Sequence, residues 1–276
     1  MPEFFTGLVT EGLVPVFLAL LSFLPQVVIL LTIVSLFENT GFILGFGCTT
    51  LAVSSIDSNA PCKHKHRMTR FLTFIPCSAK LPVLVFLSGV ILGWTVFGVV
   101  FLYIFSILLG LVFGGYRLLH IPHLKDISIW GIGKSIAMNT LEFLKRISLG
   151  IIIAASVLYT LQYFSWLLPI AGLLSPLFTP LGLGSAAVIA CLAFGLVAKE
   201  MIIGAVLAFG VASLGLTTAS AISFLLFVLL YSPCIPALTA IRAKLGTLGA
   251  VKAGLFSFAV AYAVSFIAFN LFTLVN

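Results

Sequence analysis

Acidic side chains are scarce in this sequence: seven Asp and Glu stand against fourteen Lys and Arg, and charged residues of both signs make up only 8% of its 276 positions. An average soluble domain carries roughly 25%, so too little charge is present to cover a water-facing surface. A soluble globular domain is excluded on that ground. Cysteine is sparse as well, five in all and with no CxxC spacing, which excludes a zinc ribbon and gives no disulfide framework. No GxxxxGK[ST] stretch occurs, so no nucleotide-cradling loop is placed in this sequence. No nucleophile with an acid–base partner and no cofactor motif points to an enzyme or a permanently bound cofactor. The opening MPEFFTGLVTEGLVP has neither the basic region nor the small-residue cleavage site of a signal peptide, and is expected to be mature sequence.

What the sequence has instead is apolar length. Hydrophobic residues make up 62% of the chain, and several runs approach or exceed the about 20 residues that cross a bilayer. The expected fold is all-α: a polytopic transmembrane helical bundle in contact with lipid, a single permease domain over 1–276. Many runs are interrupted. Leu13 to Phe37 contains Pro15 and Pro25, GFILGFGCTT carries three glycines, RFLTFIPCSAKLPV carries Pro76 and Pro82, and LLPIAGLLSPLFTPLGLG is broken by proline and glycine. Proline removes a backbone donor and kinks a helix, and such breaks survive at membrane depth only beside protein or a water-filled cavity. Plain spans are expected at about Thr95 to Phe113, Ile147 to Tyr163 and Ala253 to Leu274.

The interruptions recur in two halves, which points to a transporter built from repeats. We divide the chain into a gate-like repeat at about 11–116, an amphipathic connector at about 117–146, a second gate-like repeat at about 147–252 and a final helix at about 253–274. The basic loops at 63–70, 117–146 and 242–252 are expected on the cytoplasmic side. The net charge of +7 therefore speaks to topology and not to nucleic acid. Helix parity between about 163 and 242 stays open, since the segments there either all cross or are in part re-entrant.

Between Arg146 and Arg242 the only charges are the adjacent Lys199 and Glu200 of GLVAKEMIIG. An ionisable group at the bilayer centre costs about 2.5–3.5 kcal/mol on insertion scales. Neighbours on a helix point about 100° apart, so the two do not pair well with each other. Two readings stand: an ion pair that locks broken helices together, or Glu200 facing a cation path with Lys199 as a structural charge. Three cysteines also adjoin helix breaks, Cys48 beside Gly47, Cys77 beside Pro76, and Cys234 between Pro233 and Pro236. A break places carbonyls beside a thiol, and both can bind a borderline-soft divalent metal. Cys191, in a plain apolar run, reads as a small buried hydrophobe. The tract CKHKHR, with Cys62, reads as a solvated positive-inside loop or as a weak transition-metal binder.

GFGC, PCSAKLPV, LFTPLGL, AKEMIIGAVL and LLYSPC, in this order, resemble the membrane region of the ferrous iron transport protein B (FeoB) family from about Glu11 to Gly246. The resemblance implies import of Fe²⁺, as transported ion, through the inner (plasma) membrane of a prokaryote by a multi-pass chain. It implies Cys48, Cys77, Cys234 and Glu200 as candidate metal-path ligands, and Lys80 stands where the family's CxARLP motif usually has arginine. The first gate departs from the family pattern, since Cys48 is followed by Thr49, Thr50 and Leu51. The family's GTP-binding domain has no counterpart in these residues, so a separate GTP-binding protein acting in trans is an expected partner, and a homo-oligomer is open. Two other functions stay in view: a non-conducting or regulatory membrane subunit, and a gate-type transporter of another solute such as a nucleoside.

Overall fold

The computed structural model describes residues 49–54, 56, 61–77, 80–89, 93, 96–114, 160, 165–197, 199, 201–210, 214–231 and 234–275. Cys48, Glu200, the broken segment Leu13 to Phe37, the connector 117–146 and nearly all of the expected span Ile147 to Tyr163 lie outside them. So do the opening residues of the first repeat.

The described residues are helical, with no strand among them. In chain order they form α1 (Thr49–Ser54), α2 (Cys62–Phe74), α3 (Lys80–Leu87), α4 (Val96–Gly114), α5 (Leu167–Phe178), a 3-10 turn (Thr179–Leu181), α6 (Ala186–Val197), α7 (Met201–Phe209), α8 (Thr218–Leu230) and α9 (Ile235–Val275). Among the described residues, two stretches are long and apolar enough to cross a membrane, Phe97–Gly114 and Thr218–Leu274. The second is broken after α8 and again at Gly246, where φ is +77°. The bent pair of α5 with its 3-10 turn and α6, at 99°, is a third apolar unit.

Burial explains the arrangement. Along α4, Val99, Leu102, Ser106 and Gly110 face inward, a stripe at helical spacing. The opposite face carries exposed Phe97, Phe101, Ile104, Leu108 and Val112, an apolar surface suited to lipid. By contrast α8 is buried around its whole circumference, as expected of a central helix. It starts at Thr217, whose hydroxyl accepts the Ser220 N–H at 3.3 Å, a standard cap. Phe224, Phe227, Leu229 and Tyr231 carry its side chains into a core shared with Val83, Leu84, Leu181, Val188 and Ile202.

The basic tract 63–70, expected as a loop, is instead the first two turns of α2. Lysine and arginine are good helix formers, and Met68, Phe71 and Leu72 give the helix an apolar side packed on Ala52, Val53 and Ile241. Pro61 supplies the first acceptor, taking the His64 and Lys65 N–H groups at 2.9 and 3.1 Å. Residues 242–252 are likewise helical apart from the break at Gly246. Charge marked these segments correctly as polar and wrongly as loops.

The elbow between α5 and α6 is built by SPLFTPLGLG. Gly182, at φ +72°, donates its N–H to Thr179 O at 2.9 Å, and Leu183 donates to Phe178 O at 3.1 Å. Those two bonds make a Schellman end, which needs a left-handed residue at the glycine. Ser175 Oγ closes the elbow by donating to Gly184 O, and Tyr262 of α9 donates to Leu177 O at 3.0 Å. A Cβ on Gly182 would run into the Phe269 ring of α9. Gly182→Ala is therefore expected to cost about 1–3 kcal/mol through left-handed strain and overpacking. Gly172→Ala is the control: it meets nothing within 4 Å and gains helix propensity of about 0.5–1 kcal/mol. Thermal unfolding midpoints in detergent should separate the two in opposite directions.

Candidate functional site

Two helix breaks from distant parts of the sequence meet beside α8. The first follows α2. Residues before a proline avoid helical geometry, and Ile75, which precedes Pro76, is extended at φ −65° and ψ 126°. Carbonyls left without helical donors there are taken by side chains of α4. Ser106 Oγ donates to Phe74 O at 2.5 Å, and Tyr103 OH donates to Pro76 O at 3.0 Å. Half-buried Cys77 follows, and its carbonyl accepts the Lys80 N–H at 2.9 Å to start the next turn.

Lys80 is 3% exposed. A buried ammonium persists only with partners, and Lys80 Nζ donates to Leu229 O in α8 at 2.6 Å. The sequence explains why that oxygen is available. In an α-helix it would accept the N–H four residues on, and that residue is Pro233, which has none. The lysine of one motif therefore caps the carbonyl that the proline of another leaves open.

The second break ends α8. Tyr231 is extended, with φ −64° and ψ 164°, and its N–H still donates to Phe227 O. Half-buried Cys234 lies just beyond, before α9. The Tyr231 ring stacks on Phe227 at 5.4 Å between centroids, and its hydroxyl donates to Leu192 O of α6 at 3.1 Å. Over the other contact of the ring sits Lys199 Nζ, 3.1 Å from the centroid. Lys199 is itself 3% exposed and stands in the gap between α6 and α7, where its carbonyl accepts the Ile202 N–H at 3.2 Å. A cation desolvated over an aromatic face is attracted by the ring quadrupole, by about 2 kcal/mol or more.

Gly195 makes this crossing possible. A Cβ there would lie 2.5 Å from Ile202 Cδ1 and from the Tyr231 hydroxyl. Gly195→Ala is accordingly expected to push Tyr231 from Leu192 O and cost about 1–3 kcal/mol, read as a lowered unfolding midpoint.

Of the residues singled out from sequence, Cys77, Lys80, Lys199 and Cys234 thus cluster on the end of α8. Lys80 lies within electrostatic range of both Cys77 and Cys234. Cys48 and Glu200 lie outside the described residues, and among the described ones no three His, Cys, Asp or Glu side chains gather to hold a metal. Cys191 is buried in α6, away from a ligand role. Tyr231, Gly195, Tyr103 and Ser106 were missed in the sequence. The available signal for the first was its place at a proline break; the others needed the fold.

Chemically, the cluster offers two half-buried thiols, several carbonyls already engaged by side-chain donors, and two buried cations that contact residues two apart at one helix end. That is an arrangement able to hold positive charge away from water.

Residues 145–248 match the protein family described as Gate: Nucleoside recognition. The chain is similar to an Fe(2+) transporter FeoB of Staphylococcus aureus, with 26% identity over 87% of this chain and 45% of that protein. The corresponding protein of Methanocaldococcus jannaschii is 24% identical over 96% of this chain and 49% of its own length. That of Synechocystis is 25% identical, over 87% and 48%. The chain thus spans a little under half the length of these relatives. No solved structure matches it.

Proposed function

We propose that this chain forms the membrane path of a ferrous-iron transporter in the inner membrane of a prokaryote, with Fe²⁺ as its cargo. The observation that carries this reading is the seat of Lys80: an ammonium bound to a freed carbonyl at 2.6 Å, in range of two thiols. A place that holds one cation by a carbonyl dipole, with two thiols nearby, is suited to another. Similarity to Fe(2+) transporters over most of the chain supports the choice of iron.

Fe²⁺ accepts thiolate and carboxylate ligands, and Cys77, Cys234, Cys48 and Glu200 are the ligands we assign along the path. Passage needs sites weak enough to release the ion. Lys80 meets that need by returning to Leu229 O and displacing the ion. Lys199, held on Tyr231, keeps the second break in place, and a GTP-binding partner acts in trans to open the path.

Anaerobic Fe²⁺ uptake into proteoliposomes tests this. Saturable uptake is expected, reduced at least tenfold in each of Cys48→Ser, Cys77→Ser, Cys234→Ser and Glu200→Gln. Unchanged uptake in all four would remove the path. Uptake that begins only when a GTP-binding domain is added would identify one half of a split machine, and binding of that domain without flux a regulatory subunit.

A second reading is favoured by the match of 145–248 to the gate family. Phe178, Phe227 and Phe258 form edge-to-face pairs beside Tyr231, a buried aromatic cluster that would have to open to stack on a base. On that reading a labelled nucleoside, and not Fe²⁺, accumulates in the same vesicles.

A further inference from the structure

At the exposed start of α2, far along the helix from Cys77, two metal-binding side chains are set one turn apart. Cys62 Sγ lies 3.5 Å from His66 Nδ1. Positions i and i+4 share a helix face, and here the two donor atoms have converged. A tetrahedral ion bonded to sulfur at about 2.3 Å and to imidazole nitrogen at about 2.0–2.1 Å holds those atoms about 3.6 Å apart. The observed separation is that bite.

We propose that Cys62 and His66 form a two-ligand exchange site for a thiophilic or borderline divalent transition-metal ion such as Zn²⁺, Co²⁺ or Fe²⁺. The ion takes Sγ as thiolate, releasing the thiol proton to water, and takes Nδ1 through its lone pair with the ring proton shifted to Nε2. His66 Nδ1 also lies 2.9 Å from Cys62 O. That contact holds the ring over the thiol, and the metal takes the place of its proton as solvent exchange moves that proton to Nε2. His64 is two positions from Cys62 and on another face, so it is not a ligand. Water fills the remaining positions.

The surroundings set the strength. Lys63, Lys65 and Arg67 flank the pair and repel a cation, while both ligands remain open to solvent. Two protein ligands among like charges make a site that loads and unloads. Its place on the helix that leads into Cys77 suits ion transfer between water and the path, a role that rests on the iron-transport reading. The binding itself does not.

The test uses the full chain in detergent with Cys48→Ser, Cys77→Ser, Cys191→Ala and Cys234→Ser, so that Cys62 is the one thiol left. Titrated with Co²⁺, it should show a thiolate-to-cobalt charge-transfer band. Adding Cys62→Ser should abolish the band, His66→Ala should weaken the apparent affinity at least tenfold, and His64→Ala should leave it unchanged. If the multiple variant aggregates, maleimide labelling of Cys62 in the parent chain reads the same site: Zn²⁺ should slow it, and His66→Ala should restore the rate. Absence of the band, or a band or protection indifferent to His66→Ala, overturns the site. Neither readout depends on uptake, so a failed site and a failed iron path are told apart.

Discussion

Tyr231→Leu is expected to be the most damaging single substitution at the helix breaks, at about 3 kcal/mol, the lower end of the range for cutting a buried aromatic back to alanine. Three supports go at once: the stack on Phe227, the hydrogen bond to Leu192 O and the ring beneath the Lys199 ammonium. Tyr231→Phe removes only the hydroxyl and should cost about 1 kcal/mol. The gap between the two variants measures the ring itself. A double-mutant cycle with Lys199→Met assigns part of that gap to the cation, and the coupling should be about 1–2 kcal/mol. Unfolding midpoints in detergent give all four corners. If the phenylalanine and leucine variants fall together, the hydroxyl alone holds this crossing and Lys199 draws nothing from the ring.

That crossing marks the boundary of what was legible in the sequence. The uninterrupted apolar run at about 95–113 became Val96–Gly114, because a plain span is set by local hydropathy alone. SPLFTPLGLG was legible as a break, since proline and glycine act on their own backbone, and it folds as the 99° elbow. Lys63 to Arg70 misled: charge density suggested a loop, whereas helix propensity and the apolar face of Met68, Phe71 and Leu72 prevail. The contact between Lys80 and Leu229 spans 149 positions. One half of it was readable, because counting four back from Pro233 names the carbonyl that lacks a donor. Which side chain supplies the donor depends on packing, and so does the closeness of Gly195 to Tyr231. Local breaks were legible, then, and the contacts between them were not.

Lys80→Met should separate a structural lock from a resident cation. The substitution keeps an unbranched stem of similar volume, so the hole left behind is small. Leu229 O loses its donor, at about 1–3 kcal/mol, while a buried ammonium no longer has to be desolvated. These oppose each other, and the folded chain should survive with a midpoint near that of the parent. Metal binding should change far more. Two unit charges 4 Å apart at an effective dielectric constant of 20 repel by about 4 kcal/mol, and a divalent ion near Cys77 and Cys234 feels more than a monovalent one. Removing the ammonium should therefore tighten Cd²⁺ binding at those thiols at least tenfold, a change of only about 1.4 kcal/mol. Tighter binding without a competing cation slows release, so Fe²⁺ uptake should fall although the site is occupied. Lys80→Arg keeps the charge and a donor for Leu229 O, and should hold uptake within a few-fold of the parent. Loss of both Cd²⁺ binding and uptake in the methionine variant would instead make Lys80 a strut that positions the thiols, because a site freed of its own cation cannot bind another less well unless its geometry has gone.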